Sequence, residues 1–353
     1  MQITHAEVTP IELTLKSAVR LPGIAPIERI MALFVRIETR QGRSAWGCGV
    51  AHPALTGEQP EAALRACQAS ADRAIDLHPT NIEFSLAELR PLTQESPAAS
   101  CAFDLAFHDL LGLAAGLPLY RLLGGFRNRI QTSITIPAIP VEECVAAALK
   151  YARQGFHVFK IKGGEDPEAD IQAVRGIHRA LPNHLLRLDP DGHYTTRTAL
   201  DVALSVDGMI EILEQPTPAG DPGGLGKVTK ISPVPVIADQ SVSGPASLLE
   251  LAALRIVDGI SIKVATCGGL QYARQMDAIA RAAQLTMMVS CIFEPALLTA
   301  AGLSFALSSP NVRYCDLDGY MGLENDPTLP GFRLEEGCLI ASDVPGLGCT
   351  LEL

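Results

Sequence analysis

The sequence predicts an α/β fold, a (β/α)₈-type barrel (a modified TIM barrel) that carries an N-terminal α+β capping domain. From residue 126 onward, short β-branched runs alternate with helical stretches, and the ends of the runs recur about every 25 residues. Before residue 126 the chain is first strand-like and then helical. Eight evenly spaced runs favour a closed barrel over an open dinucleotide-binding sheet.

The first 125 residues have a pattern of their own. Short β-rich runs fill residues 1–57, and the clearest of them, 31–37, leads into a polar turn. From residue 57 to residue 123 the sequence is rich in alanine and helical in its periodicity, and two glycines follow as a helix stop. These patterns predict an α+β capping domain over residues 1–125.

The barrel itself is predicted over residues 126–320. Its eight strands are expected to end at Ile136, Lys162, Asp189, Glu214, Asp239, Lys263, Ser290 and Asp316. Residues 321–353 are rich in glycine and proline. We expect this C-terminal segment to return to the capping domain and complete it.

The composition limits the partners and the compartment. The chain has 353 residues, a formal net charge of −11 and one tryptophan, which argues against nucleic acid as a partner. No run approaches the roughly 18 charge-free apolar residues of a membrane span, so no membrane partner is expected. Nine cysteines, an odd number without a CxxC pair, are typical of a reduced cytoplasmic protein rather than of a disulfide or zinc scaffold.

Charged side chains cluster where barrel enzymes place their chemistry, at the carboxyl ends of the strands. Three consecutive strands each end in one carboxylate, from Asp189, Glu214 and Asp239. One such acid alone would more often be a solvated strand end or a helix cap. Three hard oxygen ligands that leave room for water and substrate suit Mg²⁺, whereas zinc would require histidine or cysteine. The sequence therefore predicts a magnesium site.

Two lysines are predicted to face one another across this site as catalytic bases. Lys162 ends the second strand and Lys263 the sixth, so they lie on opposite sides of an eight-stranded barrel. A substrate carboxylate bound to Mg²⁺ acidifies its α-proton, because the metal stabilises the enediolate. One lysine would remove this proton and the other would return one to the opposite face, which is epimerisation. The ammonium of Lys160, together with the cation, is expected to lower the pKa of Lys162.

At these residues the sequence resembles the enolase superfamily, and within it the muconate-lactonizing subgroup. The matching motifs are Lys160-Ile-Lys162, Asp189, Glu214-Gln-Pro216, Asp239-Gln-Ser241, Lys263, Cys267-Gly-Gly-Leu270 and Asp104-Leu-Ala-Phe-His-Asp109. The match runs over nearly the whole chain. It implies lysine bases that work with Mg²⁺ and a capping domain that closes over the barrel mouth.

Within the subgroup, the sequence after the eighth strand resembles that of dipeptide epimerases of the L-Ala-D/L-Glu type. Asp316 and Asp318 are similar to the Asp-x-Asp motif of those enzymes. There the two carboxylates hold the α-ammonium of the dipeptide, a charge-assisted contact. Thr135, in the first barrel strand, is a further candidate for substrate binding.

The resemblance also implies that the loop at residues 20–27 contacts the C-terminal side chain of the dipeptide. The loop is apolar apart from Arg20. We therefore expect Ile24 to contact a hydrophobic side chain. The competing expectation is that Arg20 reaches an acidic side chain.

Other reactions of the subgroup stay open, namely N-acylamino acid racemisation, o-succinylbenzoate synthesis and cycloisomerisation. Their substrates have no free α-ammonium, which separates them from dipeptides. Dehydration of a sugar acid usually needs a histidine at a late strand end, and no histidine follows residue 193. In each case the partner is a small molecule, and the relatives lead us to expect a homo-oligomer.

Several positions depart from the pattern of the subgroup, among them the segment Ser290-Cys-Ile-Phe-Glu294, where a glycine is usual. Asp191 stands where asparagine is common, Gln240 stands where glutamate is usual, and Cys48 stands where an acid is frequent. These departures concern the surroundings of the predicted ligands and the substrate pocket, whereas the ligands and lysines are retained.

Overall fold

The computed structural model describes residues 1–19 and 25–352. It contains a sheet of eight parallel strands with helices around it and a strand-rich capping layer, which confirms the predicted fold class. The capping elements are β1 (Ile3–Val19), β2 (Ile27–Thr39), β3 (Ser44–Ala51), α1 (Pro60–Ala74), α2 (Ile82–Thr93), α3 (Pro97–Ala115) and α4 (Leu119–Leu123).

The barrel follows as a regular alternation of strands and helices. After a short strand, β4 (Arg129–Gln131), its strands are β5 (Ile134–Ile136), β6 (Val158–Lys162), β7 (Leu185–Asp189), β8 (Ile212–Glu214), β9 (Val236–Ala238), β10 (Gly259–Lys263), β11 (Thr286–Ser290) and β12 (Val312–Asp316). Its helices are α5 (Val141–Arg153), α6 (Pro167–Ala180), α7 (Thr196–Ser205), α8 (Pro222–Ile231), α9 (Pro245–Leu254), α10 (Val264–Cys267), α11 (Leu270–Ala282) and α12 (Ala296–Ser308).

The barrel strands lie side by side in chain order from β5 to β12. The two edges of the sheet, at β5 and β12, approach one another. The amide of Ser133, just before β5, donates to the carbonyl of Cys315 in β12 at 3.0 Å. Seven strands end at the predicted residue, but β9 ends at Ala238. The next amide, that of Asp239, donates to the side chain of Gln215 at 2.8 Å instead of to a neighbouring strand.

The capping sheet packs closely on α3. Its strands β1, β2 and β3 are antiparallel and adjacent in that order. A Cβ at Gly47 would lie 1.9 Å from the carbonyl oxygen of Ala102, and a Cβ at Gly49 would lie 2.0 Å from that of Ala98. Only glycine allows the backbone of β3 to approach the helix this closely.

Helix α3 is long and apolar enough to resemble a membrane span by length and composition. Most of it is buried in the protein, however, as the core helix of the capping layer. Two of its acidic side chains, Asp104 and Asp109, accept hydrogen bonds from backbone amides elsewhere in the chain.

The C-terminal segment contacts both the capping layer and the barrel. Its elements are a 3₁₀ turn (Gly319–Gly322), β13 (Thr328–Leu329), β14 (Phe332–Glu335), β15 (Cys338–Ala341) and β16 (Thr350–Leu351). Strand β15 pairs with β4, just before the first barrel strand. The amide of Leu347 donates to Asp109 of α3 at 2.8 Å, and the amide of Glu324 donates to the carbonyl of Thr14 in β1 at 3.0 Å. The domain boundaries at residues 125 and 320 stay a prediction.

Candidate active site

The predicted site residues lie at the carboxyl ends of the barrel strands. Side chains two apart on one strand share a face, so Lys160 and Lys162 of β6 point the same way. In the parallel pairing of β6 with β7, Lys160 lies beside Arg187 and Lys162 beside Asp189. Three strands, β7, β8 and β9, lie between β6 and β10. Asp189 ends β7, Glu214 ends β8, and Asp239 directly follows β9. Lys162 and Lys263 therefore belong to opposite sides of the barrel.

Lys160 is the centre of a buried ion cluster. Its Nζ lies 2.8 Å from Oδ2 of Asp189, 2.8 Å from Oε2 of Glu214 and 2.9 Å from Oδ2 of Asp316. Burial disfavours the ammonium, but the three carboxylates outweigh this effect and raise the pKa of Lys160. Lys160 therefore acts as a fixed positive charge between acids from three strands.

Lys162 is held by two carboxylates. Its Nζ lies 2.8 Å from Oδ2 of Asp189 and 2.8 Å from each oxygen of Asp191. Burial and the ammonium of Lys160 lower the pKa of Lys162, but the carboxylates, Asp189 foremost, raise it above the ordinary lysine value. Lys160 lowers the pKa of Lys162 as expected, but in the protein without a metal the carboxylates outweigh it. A lowered pKa of Lys162 stays a prediction for the Mg²⁺-loaded protein.

Lys263, across the barrel, makes an ion pair with Asp239. Burial lowers the pKa of Lys263, and Asp239 and Glu214 raise it by more. Gln215 holds the turn that carries Asp239, because its Oε1 accepts from the amides of Asp239 at 2.8 Å and Ser241 at 3.1 Å. The backbone of Gln215 has φ 32°, a left-handed conformation that this buried side chain fixes.

Glu214 is fully buried, and among the described residues neither of its carboxylate oxygens has a hydrogen-bond donor. The ammonium of Lys160 is close to Oε2 but outside hydrogen-bond geometry. Burial and the neighbouring charge of Asp189 raise the pKa of Glu214 to about 8. A buried carboxylate without hydrogen-bond partners is costly, and a cation ligand would satisfy it.

The donor chemistry of Asp189, Glu214 and Asp239 fits a hard divalent cation. Within residues 1–19 and 25–352, no three His, Cys, Asp or Glu side chains are already gathered as a metal cage. Instead, Asp189 forms an ion pair with Lys160, and Asp239 forms one with Lys263. Glu214 lies between these two acids along the sheet, and its oxygens, which accept no hydrogen bond from the described residues, are the feature that favours a cation here.

The Asp-x-Asp pair is divided between two environments. Asp316 is buried and accepts from Ser133 Oγ at 2.6 Å and from Lys160 Nζ at 2.9 Å. Burial raises the pKa of Asp316, but Lys160 and these hydrogen bonds outweigh it and lower the pKa. Asp318 is partly exposed and accepts from the amide of Thr135 at 2.7 Å. Burial and the charge of Asp316 raise the pKa of Asp318 to about 6. Oδ1 of Asp318 accepts from the thiol of Cys291 at 3.7 Å, so Asp318 differs from Asp316 in being partly exposed and in having no lysine ammonium beside it among the described residues.

Apolar side chains follow two of the barrel strands at this end. Cys291, Ile292 and Phe293 follow β11, Tyr320 and Met321 lie a few residues after β12, and all five pack partly buried against the core. The predicted contacts Arg20 and Ile24 lie outside the described residues.

Two polar residues, Arg187 and Ser133, connect the two edges of the barrel sheet, and neither was predicted from the sequence. Nη1 of Arg187 donates to the carbonyl of Cys315 at 2.8 Å and to Ser133 Oγ at 3.2 Å. This places Ser133 in position to bind Asp316. A buried arginine in the otherwise apolar run of β7 is a sequence signal that could have identified it.

Comparisons with known proteins identify the family of the chain. The chain belongs to the enolase C-terminal domain-like family, whose model matches residues 143–352. It is 37% identical to an L-Lys-D/L-Arg epimerase of Methylococcus capsulatus over 91% of this chain and 92% of that protein. It is 32% identical to a hydrophobic dipeptide epimerase of Enterococcus faecalis over 99% of both chains.

Among solved structures, the chain is similar to a dipeptide epimerase of Enterococcus faecalis in complex with Mg and the dipeptide L-Leu-L-Tyr. The TM-score is 0.95 at 32% sequence identity, and the similarity covers 99% of this chain and 100% of that one. The similarity therefore spans the capping layer, the barrel and the C-terminal segment.

Proposed function

We propose that this protein is a Mg²⁺-dependent dipeptide epimerase that inverts the α-carbon of the C-terminal residue and prefers hydrophobic side chains. The observation that carries the proposal is the placement of two lysines on opposite sides of three acid-bearing strands. The relatives named as dipeptide epimerases support the same reaction class over nearly the full chain.

Asp189, Glu214 and Asp239 would hold the Mg²⁺. When bound, the ion supplies positive charge that stabilises the negative charge developing on the substrate carboxylate as the α-proton leaves. Lys160, buried among Asp189, Glu214 and Asp316, supplies a second fixed positive charge at the same end of the barrel.

Lys162 and Lys263 would carry the proton. One neutral lysine takes the α-proton, and the other, as an ammonium, donates a proton to the opposite face of the carbon. Both lysines are held as ammoniums by carboxylates in the protein without a metal. A carboxylate that binds the ion holds the lysine less strongly, which favours the neutral form required of a base.

Asp318 is the side chain that we expect to hold the α-ammonium of the dipeptide. Asp316 is buried against Ser133 and the ammonium of Lys160, whereas Asp318 is partly exposed and accepts from the amide of Thr135 and the thiol of Cys291. Asp316 would add negative charge behind Asp318, which favours a cationic group.

A hydrophobic preference is supported by the apolar surroundings of the site, formed by Cys291, Ile292, Phe293, Tyr320 and Met321. The similarity to a hydrophobic dipeptide epimerase supports it as well. The odd number of scattered cysteines supports a soluble protein of the reducing cytoplasm. The homo-oligomeric state stays a prediction.

The test is a screen of pooled L,L-dipeptides with the purified protein and Mg²⁺ in D₂O, read by mass spectrometry. We expect a mass increase of about 1 Da at the C-terminal residue of hydrophobic dipeptides, because the returned proton comes from solvent. N-acylamino acids form the second library. Exchange in that library alone, insensitive to Asp318→Asn, would refute the dipeptide assignment and support the N-acylamino acid reaction.

A further inference from the structure

The two lysines differ in what holds them. Lys263 is paired with Asp239, which is a predicted metal ligand. Lys162 contacts a predicted ligand, Asp189, and also both oxygens of Asp191, which is outside the predicted ligand set. When Asp189 binds a cation, Asp191 is the carboxylate that remains for Lys162.

Asp191 is itself held in place. Its amide donates to Oδ1 of Asp189 at 3.1 Å, and its backbone has φ 49°, in the left-handed region that aspartate and asparagine tolerate. Nε2 of Gln240 donates to Oδ1 of Asp191 at 3.1 Å. The amide of the following residue, Gly192, donates to the carbonyl of Gln215 at 2.7 Å. The backbone at Asp191 is thus fixed by residues at the ends of β7 and β8, and its carboxylate is held by Gln240, which follows β9.

We propose that Asp191 is a positioning residue that aims the Nζ of Lys162 at one face of the substrate α-carbon, with Gln240 holding the Asp191 carboxylate. This inference rests on the proposed function. A bidentate ion contact restricts the lysine stem, whose free rotation would otherwise spread Nζ over many positions. Because Lys263 has no such second carboxylate among the described residues, the two faces of the reaction are supported unequally.

The identities of the pair provide a control. The subgroup commonly has asparagine at position 191 and glutamate at position 240, whereas here Asp191 supplies the carboxylate and Gln240 the amide. In this chain the two side chains are hydrogen-bonded, and the negatively charged member of the pair, Asp191, contacts Lys162. Exchanging both residues restores an amide–carboxylate pair and removes the charge from the lysine.

The test uses the Mg²⁺-loaded protein in D₂O with the two epimers of one dipeptide, each supplied separately. Lys162→Ala and Lys263→Ala first identify which epimer each lysine deprotonates. Asp191→Asn is expected to slow α-proton exchange about 10- to 100-fold for the epimer that faces Lys162, the usual cost of losing such a supporting contact. Exchange of the epimer that faces Lys263 should remain near the parent rate. An equal loss for both epimers would overturn the proposal.

The double variant Asp191→Asn/Gln240→Glu separates positioning from a merely structural role. If the carboxylate on Lys162 matters, the double variant stays as slow as Asp191→Asn for the same epimer. If only the hydrogen bond between positions 191 and 240 matters, the double variant recovers the parent rate, and the proposal is overturned. Asparagine tolerates the left-handed backbone at position 191, so both variants should fold.

A crystal structure of the Mg²⁺-loaded protein provides a readout that does not depend on activity. The proposal requires the Asp191 carboxylate to lie within hydrogen-bond distance of Lys162 Nζ. An Asp191 carboxylate bound to the metal, or turned away from the lysine, would contradict it. If the parent protein exchanges no dipeptide, the proposed function fails, and the crystal structure alone decides the contact of Asp191 with Lys162.

Discussion

Replacing Asp104 by alanine should destabilise the protein, because it removes hydrogen bonds between the capping layer and the barrel. Asp104 lies fully buried on α3. Its Oδ2 accepts from the amide of Leu270 at 2.5 Å and its Oδ1 from the amide of Gln271 at 3.2 Å. These amides begin α11, so one carboxylate of the capping layer satisfies the first turn of a barrel helix. His108 Nδ1 also lies 3.4 Å from Oδ2.

The expected loss follows from these contacts. Each buried amide left without an acceptor costs about 1–3 kcal/mol. With two such amides and the buried His108 left without its acid, Asp104→Ala should lower the free energy of unfolding by about 3–5 kcal/mol. Burial lowers the pKa of His108, but Asp104 outweighs it and raises the pKa. The variant should therefore also lower the pKa of His108.

The assay is urea denaturation followed by circular dichroism, with Asp166→Ala as the matched control. Asp166 caps α6 in the same way, accepting from the amides of Glu168 at 3.1 Å and Ala169 at 3.2 Å, but it is exposed. Its loss should cost about 1 kcal/mol. If Asp104→Ala costs no more than Asp166→Ala, the cross-layer cap is energetically unimportant and the reasoning is refuted.

Three further predictions concern the metal, the pH and the lysines. Mg²⁺ should stabilise the parent, by about 2.7 kcal/mol at 100 times its Kd, and Glu214→Gln should remove this stabilisation in thermal melts. Burial raises the pKa of Asp109 to about 6. Its contribution to stability is therefore fully present below pH 4, and the free energy of unfolding falls by about 3 kcal/mol as the pH rises through 6. Urea titrations should show a flatter pH dependence in Asp109→Asn. Lys162→Ala and Lys263→Ala should each abolish epimerisation in a chiral assay, yet keep α-proton exchange with one epimer.

Each of these predictions has a contrary outcome. An unchanged Mg²⁺ shift in Glu214→Gln would remove that residue from the metal site. An equally steep loss of stability between pH 4 and pH 6 in Asp109→Asn would assign the titration to another group. Loss of exchange with both epimers in a folded Lys162→Ala variant would contradict the division of labour between the lysines.

Sequence periodicity predicted the barrel well because most of its strands end at a polar or charged residue. The runs ending at Lys162, Asp189 and Lys263 each contain a single polar residue before a charged last position, so the strand end and the site coincide. The end of β9 was misplaced by one residue. Its last amide hydrogen bond depends on the side chain of Gln215, which is distant in sequence.

The electrostatics of the site could not be predicted from strand ends alone. The pKa of Lys162 depends on how near Asp189 and Asp191 lie, and the second of these follows the strand rather than ending it. Arg187 contacts both Cys315 of one edge strand and Ser133 beside the other, and only closure of the sheet brings these two together. The pairing of β15 with β4 likewise has no local signal.

The most direct test of the account is proton NMR of hydrophobic L,L-dipeptides such as L-Leu-L-Tyr with the Mg²⁺-loaded protein in D₂O. Two opposed lysines predict that the α-proton signal of the C-terminal residue disappears, that signals of the L,D epimer grow in, and that the N-terminal α-proton is retained. Protein shown to bind Mg²⁺ that leaves the C-terminal α-proton of every such dipeptide in place would contradict the account.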